Sequence, residues 1–274
     1  MKRTPWARAH LVLFSVLMGG LSAGVARADL MPSFADVPTG WSVDRYAPAS
    51  FSDVGSYQGR SDVLGIGIST ADGLTNRPAP YQSTFYNTQG EGHAISGGAG
   101  MELDGDLYIP LSWSDPSTNG SVRTDMWGVM TDSSNAVTDY PIIGFTNYGG
   151  VARYRVWNEN LNGGSGGWYD LSTAVDYNAW TSFGIKFDGT NMDFLIDGTQ
   201  VYSYTEDPTT TGFSEVIMQA YNFAGDSSLT GANPASYTAY WSNSVPEPGS
   251  FTMLSTGLLG LMFVARRRRR SRNS

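Results

Sequence analysis

The amino-acid sequence predicts an all-β body, a two-sheet antiparallel sandwich, flanked by an N-terminal signal peptide and a short C-terminal transmembrane helix. Three observations carry that prediction. Short alternating or β-rich runs recur from Asp29 to Ser244, with no helical periodicity between them. Glycine-bearing turn pairs divide those runs. Each end of the chain instead sets an apolar run beside basic residues. The expected organisation is a signal peptide at 1–28, the sandwich at 29–244 and a separate C-terminal segment at 245–274.

At the N-terminus, Lys2, Arg3 and Arg8 precede an apolar run from Leu11 to Val25. The run closes on Ala26-Arg27-Ala28, the small-x-small pattern that signal peptidase cuts. Cleavage after Ala28 makes Asp29 the first mature residue. The chain has no cysteine, but a body of about 217 residues is long enough to bury a core without disulfide staples.

Within the body, ten runs read as strands: Val63 to Ser69, Asp106 to Ile109, Met126 to Thr131, Ile142 to Thr146, Val151 to Trp157, Thr181 to Phe187, Met192 to Ile196, Thr199 to Tyr204, Glu215 to Tyr221 and Tyr237 to Trp241. Asp72-Gly73, Asn119-Gly120, Gly149-Gly150, Asn162-Gly163-Gly164, Asp188-Gly189 and Asp197-Gly198 are the turn signals. So many short strands without an internal repeat favour one sandwich over a propeller.

Charge is divided unevenly. Ten of the 17 basic residues lie at the two ends, so the stretch from Ala28 to Gly249 holds seven against all 25 acidic residues. A body that acidic repels a phosphate backbone, and nucleic acid is excluded as a partner.

The C-terminus has three parts: Val245-Pro246-Glu247-Pro248, an apolar run from Phe251 to Ala265, and the cluster Arg266, Arg267, Arg268, Arg269 and Arg270. Fifteen residues of helix cover roughly 22 Å at ~1.5 Å each, and Pro248 to Ser250 bring the span close to the ~30 Å hydrocarbon core. The arginines would then stay in the cytoplasm. Proline keeps the preceding segment extended, as entry into a protease cleft requires. This tail closely resembles the PEP-CTERM sorting signal of Gram-negative bacteria. The resemblance implies an exosortase partner, a precursor held only transiently in the inner membrane, removal of the tail, and release to the cell surface or extracellular matrix.

A second resemblance lies in the body. Trp180 to Tyr202 reads as three strands joined by two Asp-Gly turns, with Phe183, Ile185 and Phe187 on one face of the first, Phe194 and Ile196 on one face of the second, and Val201 joining from the third. It resembles the meander of concanavalin A-like and laminin-G-like jelly rolls. Tyr240-Trp241-Ser242-Asn243 resembles their closing strand, with Ser242 where an Asp is usual.

Chemistry is sparse. His93 is the only histidine of the body, so zinc and copper sites are not expected, and His93 itself reads as a surface or packed residue. A structural calcium, common in related sandwiches, has oxygen ligands available here but no position. Glu102-Leu-Asp104-Gly-Asp106 resembles the Glu-x-Asp-x-(x)-Glu strand of jelly-roll glucanases, but Gly105 is expected to break the strand and Asp106 replaces the last Glu. Trp113 and Trp127 read as core, and Asp44–Arg45 as a surface charge pair. The binding candidates are Trp157, Asn158, Asn160, Trp168 and Tyr169, where aromatic faces could stack on sugar rings and amides orient hydroxyls. The expected protein is an exported, non-enzymatic binder of glycan or extracellular polysaccharide. The alternatives are a structural surface or biofilm protein and a glycoside hydrolase.

Overall fold

A computed structural model of the chain describes residues 29–244. The expected signal peptide with Ala26 and Ala28, and the tail with Pro246, Glu247, Pro248, Phe251 to Ala265 and Arg266 to Arg270, lie outside the described residues.

The early strands are β1 (Trp41–Val43), β2 (Ser50–Asp53), β3 (Leu64–Ile68), β4 (Thr88–Gly97) and β5 (Glu102–Ile109). Then come β6 (Arg123–Asp132), β7 (Val137–Asp139), β8 (Ile142–Thr146), β9 (Arg153–Asn158) and β10 (Gly167–Asp170). The last are β11 (Ala179–Phe187), β12 (Asn191–Ile196), β13 (Thr199–Thr205), β14 (Thr210–Tyr221) and β15 (Tyr237–Asn243). One sheet runs β1-β4-β14-β6-β8-β9-β10, with β7 on β6; the other runs β13-β12-β11-β5-β15-β3-β2. All the pairings between strands are antiparallel. The body is thus a two-sheet jelly-roll sandwich.

Period-2 alternation sends one face of each sheet into a shared core. Leu103, Leu107 and Ile109 of β5, Met126 and Met130 of β6, Phe183 and Ile185 of β11 and Phe194 of β12 all belong to this core. The meander forms as the alternation requires, Phe183 facing Ile196 and Ile185 facing Phe194. Asp197 and Gly198 turn it with φ of 49° and 72°, the left-handed pair that a tight hairpin needs.

Two expectations change. Gly105 does not break its strand: β5 is continuous and pairs with β11 and β15. Gly105 points inward, where an added Cβ would crowd Met126 Sδ at 3.2 Å and Trp241 at 3.5 Å. The glycine makes room for the indole. Trp127 is not in the sandwich core; it faces outward from β6, while Trp113 does lie in the core.

At one end of the sandwich, Glu206 lies beside Asp139, whose carboxylate accepts the Tyr204 hydroxyl. Burial, then a hydrogen bond to Asp139 and its charge, push the Glu206 carboxyl up to about 8. The folded state therefore holds this proton more tightly than the unfolded chain does. The associated stability is whole below the ordinary carboxylate value of 4.5 and is lost as pH rises through about 8. Thermal midpoints should fall between pH 5 and pH 8.5, and Glu206→Gln should remove several degrees of that fall, which calorimetry at the two pH values would read. A slope unchanged in the variant would place the titration elsewhere.

Candidate functional site

The sheet containing β6 has an outward face with its own apolar cluster. Trp127, Val129, Ile142 and Ile217 are buried there, with Trp157 and Trp168 packed against them. Strand register explains the grouping. Ile217, Trp127, Ile142, Trp157 and Trp168 are successive partners across β14, β6, β8, β9 and β10, a single lane running across the sheet. The next lane reads Gln219, Asp125, Gly144 and Arg155. Gly144 lies between two charged neighbours because a Cβ there would meet the Asp125 side chain and backbone.

Short 3-10 turns at Ala79–Tyr81 and Thr84–Asn87 raise an aromatic rim opposite this floor. Tyr81 and Phe85 each meet Tyr86 edge to face, at 5.1 Å and 5.2 Å, and Phe85 is 59% exposed. Floor and rim enclose a groove of about 700 Å³. Arg45 ties them together, its guanidinium 4.7 Å from the ring centres of both Phe85 and Trp127. Arg45 is therefore more than half of a surface pair, although it does contact Asp44 at 3.3 Å. Trp168 carries two guanidinium groups, Arg155 at 3.7 Å and Arg123 at 4.7 Å. Burial, then the positive charge of Arg123, lower the Arg155 guanidinium to about 9. Chemically the groove offers flat apolar faces edged with planar cations.

Two of the five sequence candidates meet here. Trp157 and Trp168 lie edge to face at 5.3 Å in the groove, and Trp157 Nε1 donates to Glu159 at 2.9 Å. The other three hold the frame together. Asn158 is buried, donating to Tyr202 at 3.0 Å and accepting from the Asn160 amide at 2.7 Å. Asn160 donates to the Thr205 carbonyl at 2.9 Å, and Tyr169 stacks on Tyr202 at 4.6 Å from the other side of β10. His93 packs against Trp41 at 5.3 Å.

The groove's cations and Trp127 escaped the sequence reading, yet a signal was present. Arg123-x-Asp125-x-Trp127 in β6 and Arg153-x-Arg155-x-Trp157 in β9 repeat one outward pattern, two strands apart and in register.

On the opposite sheet, the continuous β5 turns Glu102, Asp104 and Asp106 to one outward face above a second cavity of about 470 Å³. Asp106 pairs with Arg60 and accepts from Ser244 at 2.9 Å. Glu102 and Asp104 lie over Gly184, in space that any larger residue would fill. Among the described residues no group of three or more His, Cys, Asp or Glu is placed to hold a metal ion.

The PEP-CTERM protein-sorting motif matches residues 244–270. This chain carries a PEP-CTERM protein-sorting motif. The PEP-CTERM motif implies an exported precursor that passes the membrane and is processed by exosortase. Among the described residues no helix is long and apolar enough to cross a membrane. No curated protein matches the chain.

Solved structures do match. A native glycosidic hydrolase is 13% identical, covering 82% of this chain and 100% of its own, with TM-score 0.44. The β-glucanase of Bacillus licheniformis is 12% identical, with 79% and 95% covered and TM-score 0.43. A glycoside hydrolase family 16 endo-glucanase from Bacteroides ovatus is 12% identical, with 77% and 97% covered and TM-score 0.46. The expectation that the protein is not an enzyme is corrected: the solved structures that match it are a glycosidic hydrolase, a β-glucanase and an endo-glucanase.

Proposed function

We propose that residues 29–244 form a glycan-binding module, exported and released to the cell surface or extracellular matrix once signal peptidase has cut after Ala28 and exosortase has removed the tail. The observation that carries this reading is the aromatic lane of Trp127, Trp157 and Trp168 on the floor of a groove of about 700 Å³. The C–H faces of pyranose rings stack on aromatic planes, and a groove of this size covers several rings.

The test is a glycan and extracellular-polysaccharide array probed with the exported protein, with calcium and with chelator. We expect retention of at least one glycan class. Trp157→Ala and Trp168→Ala should weaken it at least tenfold while circular dichroism shows the sandwich intact. A folded protein that retains nothing, or variants that bind as tightly as the parent, would overturn the proposal. Reducing ends released from a retained glycan, and lost in Glu102→Gln, would add hydrolysis at the second cavity. Mass spectrometry of the exported form checks the boundaries: a product retaining Phe251 to Ser274 would refute tail removal.

A further inference from the structure

The groove stands out from the rest of the body in its charge. Residues 29–244 contain seven basic side chains, and four of them, Arg45, Arg123, Arg153 and Arg155, gather on the outward face of this one sheet. Arg153 is committed: it donates to the Tyr148 and Val151 carbonyls at 2.8 Å and pairs with Asp170. Arg155 is buried, and its Nε and Nη2 have no hydrogen-bond partner among the described residues.

Arg45 and Arg123 are arranged differently, and both line the groove. Each turns its Nε to a carboxylate, Arg45 to Asp44 at 3.3 Å and Arg123 to Asp125 at 2.6 Å. Each lays its plane against indole, Arg45 on Trp127 and Arg123 on Trp168, both at 4.7 Å. Neither donates a terminal-nitrogen hydrogen bond to another described residue, and their side chains stay 18% and 15% exposed. A guanidinium fixed at Nε and stacked on its face leaves one edge for a ligand. That edge is a planar fork matched to a carboxylate or sulfate group.

The acids of the lining are already engaged. Asp44 lies against Arg45 and Glu159 accepts from Trp157 Nε1, while burial raises the Asp44 carboxyl above its ordinary value. Among the described residues the lining also contains no Asn or Gln, the amides that would orient the hydroxyls of a neutral sugar.

Resting on the glycan-binding reading, we infer that the groove selects an anionic glycan, its pyranose faces on Trp127, Trp157 and Trp168 and its carboxylate or sulfate groups on the forks of Arg45 and Arg123. The acidic body is itself a filter. It repels polyanions everywhere except here, so weak general adsorption does not compete with the site.

The experiment measures the exported protein by affinity electrophoresis in polygalacturonate, dextran sulfate and laminarin, at low and high salt. Polygalacturonate reads the carboxylate arm, dextran sulfate the sulfate arm, and laminarin a neutral glucan. We expect at least one polyanion to retard the protein tenfold more strongly than laminarin, with the excess falling as salt rises. Arg45→Gln and Arg123→Gln should each reduce that retardation at least fivefold, while Lys186→Gln, on the opposite sheet, leaves it unchanged. Arg45→Gln decides the matter if Arg123→Gln fails to fold. Laminarin binding equal to or stronger than both polyanions would overturn the anionic selection and leave the glycan-binding reading standing. Polyanion binding untouched by both arginine variants would also overturn it. Silence on all three glycans would end both.

Discussion

Replacing Trp241 with alanine should cost about 3–5 kcal/mol and lower the thermal midpoint by roughly 10 °C. Trp241 is fully buried in β15, and its Nε1 donates to Thr124 Oγ1 of β6 at 2.9 Å. Thr124 Oγ1 donates in turn to the Gln219 carbonyl of β14 at 2.8 Å. The indole therefore fills the space that Gly105 leaves and links the two sheets by a polar chain through an apolar core. Alanine would leave an indole-sized cavity and a buried hydroxyl acceptor without its donor. Total stability in domains of this kind is about 5–15 kcal/mol, so the variant should lose a large share of it. Trp241→Phe separates the contributions, because it keeps most of the volume and loses only the hydrogen bond, at about 1 kcal/mol. Urea midpoints of the two variants provide the measurement. A Trp241→Ala midpoint within experimental scatter of the parent would mean that the sheets are not joined at this point.

The second large effect is expected at Gly144. Its Cβ would press on the Thr124 carbonyl oxygen and the Asp125 side chain, with Asp125 Cα at 2.8 Å. Two of these obstacles are backbone of the neighbouring strand, so β6 and β8 would have to separate. Gly144→Ala should cost about 1–3 kcal/mol, as overpacking does. It should also disturb the groove, because Asp125 holds Arg123 at 2.6 Å and Arg123 stacks on Trp168. Chemical denaturation reads the stability loss, and tryptophan fluorescence reads the change in the indole environment. Gly98→Ala is the control, its nearest neighbour being the Thr211 carbonyl at 3.4 Å. If both variants match the parent, Gly144 is not a spacing requirement.

Most of the frame was legible because period-2 alternation is a local property. Each of the ten expected runs is a strand, and the meander from Trp180 to Tyr202 folds as its apolar positions dictate. The overlooked strands have identifiable causes. β1, β2 and β7 span three or four residues, too few to show a period. β4 has glycine at 90 and 92, where a Cβ would meet the Met218 carbonyl and the Glu215 side chain, so the positions that should display alternation have no side chain. β10 is hidden by the glycines before it, and its Trp168 pairs with Trp157.

The site was less legible because it depends on what lies beside what. Trp157 and Trp168 could be chosen from one stretch of chain. Arg45 joins the same groove from the segment after β1, stacked on Trp127, and Phe85 joins it from a 3-10 turn. Trp127 looked like core because an outward-facing tryptophan under a rim has the same alternation as an inward one. The acidic face of β5 was misjudged for a related reason. A glycine in a strand marks either a break or a close approach, and only the position of Trp241 shows which.

The location of β15 also constrains how the molecule is made. It is the last strand among the described residues, yet it lies in the interior of its sheet, between β5 and β3. Tyr237 pairs with Ile68, a partner about 170 residues earlier, so the lane stays open until nearly the whole body has been delivered. A chain stalled on the far side of the membrane before Tyr237 would present two raw hydrogen-bonding edges, both apolar on one face, and such edges recruit other chains. Asn243 then acts as a latch: it accepts from the Phe34 amide at 3.0 Å and donates to the Pro32 carbonyl at 2.9 Å, clasping the beginning of the described chain to its end. Closure of this sheet thus waits on the arrival of β15, immediately upstream of the residues that match the PEP-CTERM protein-sorting motif.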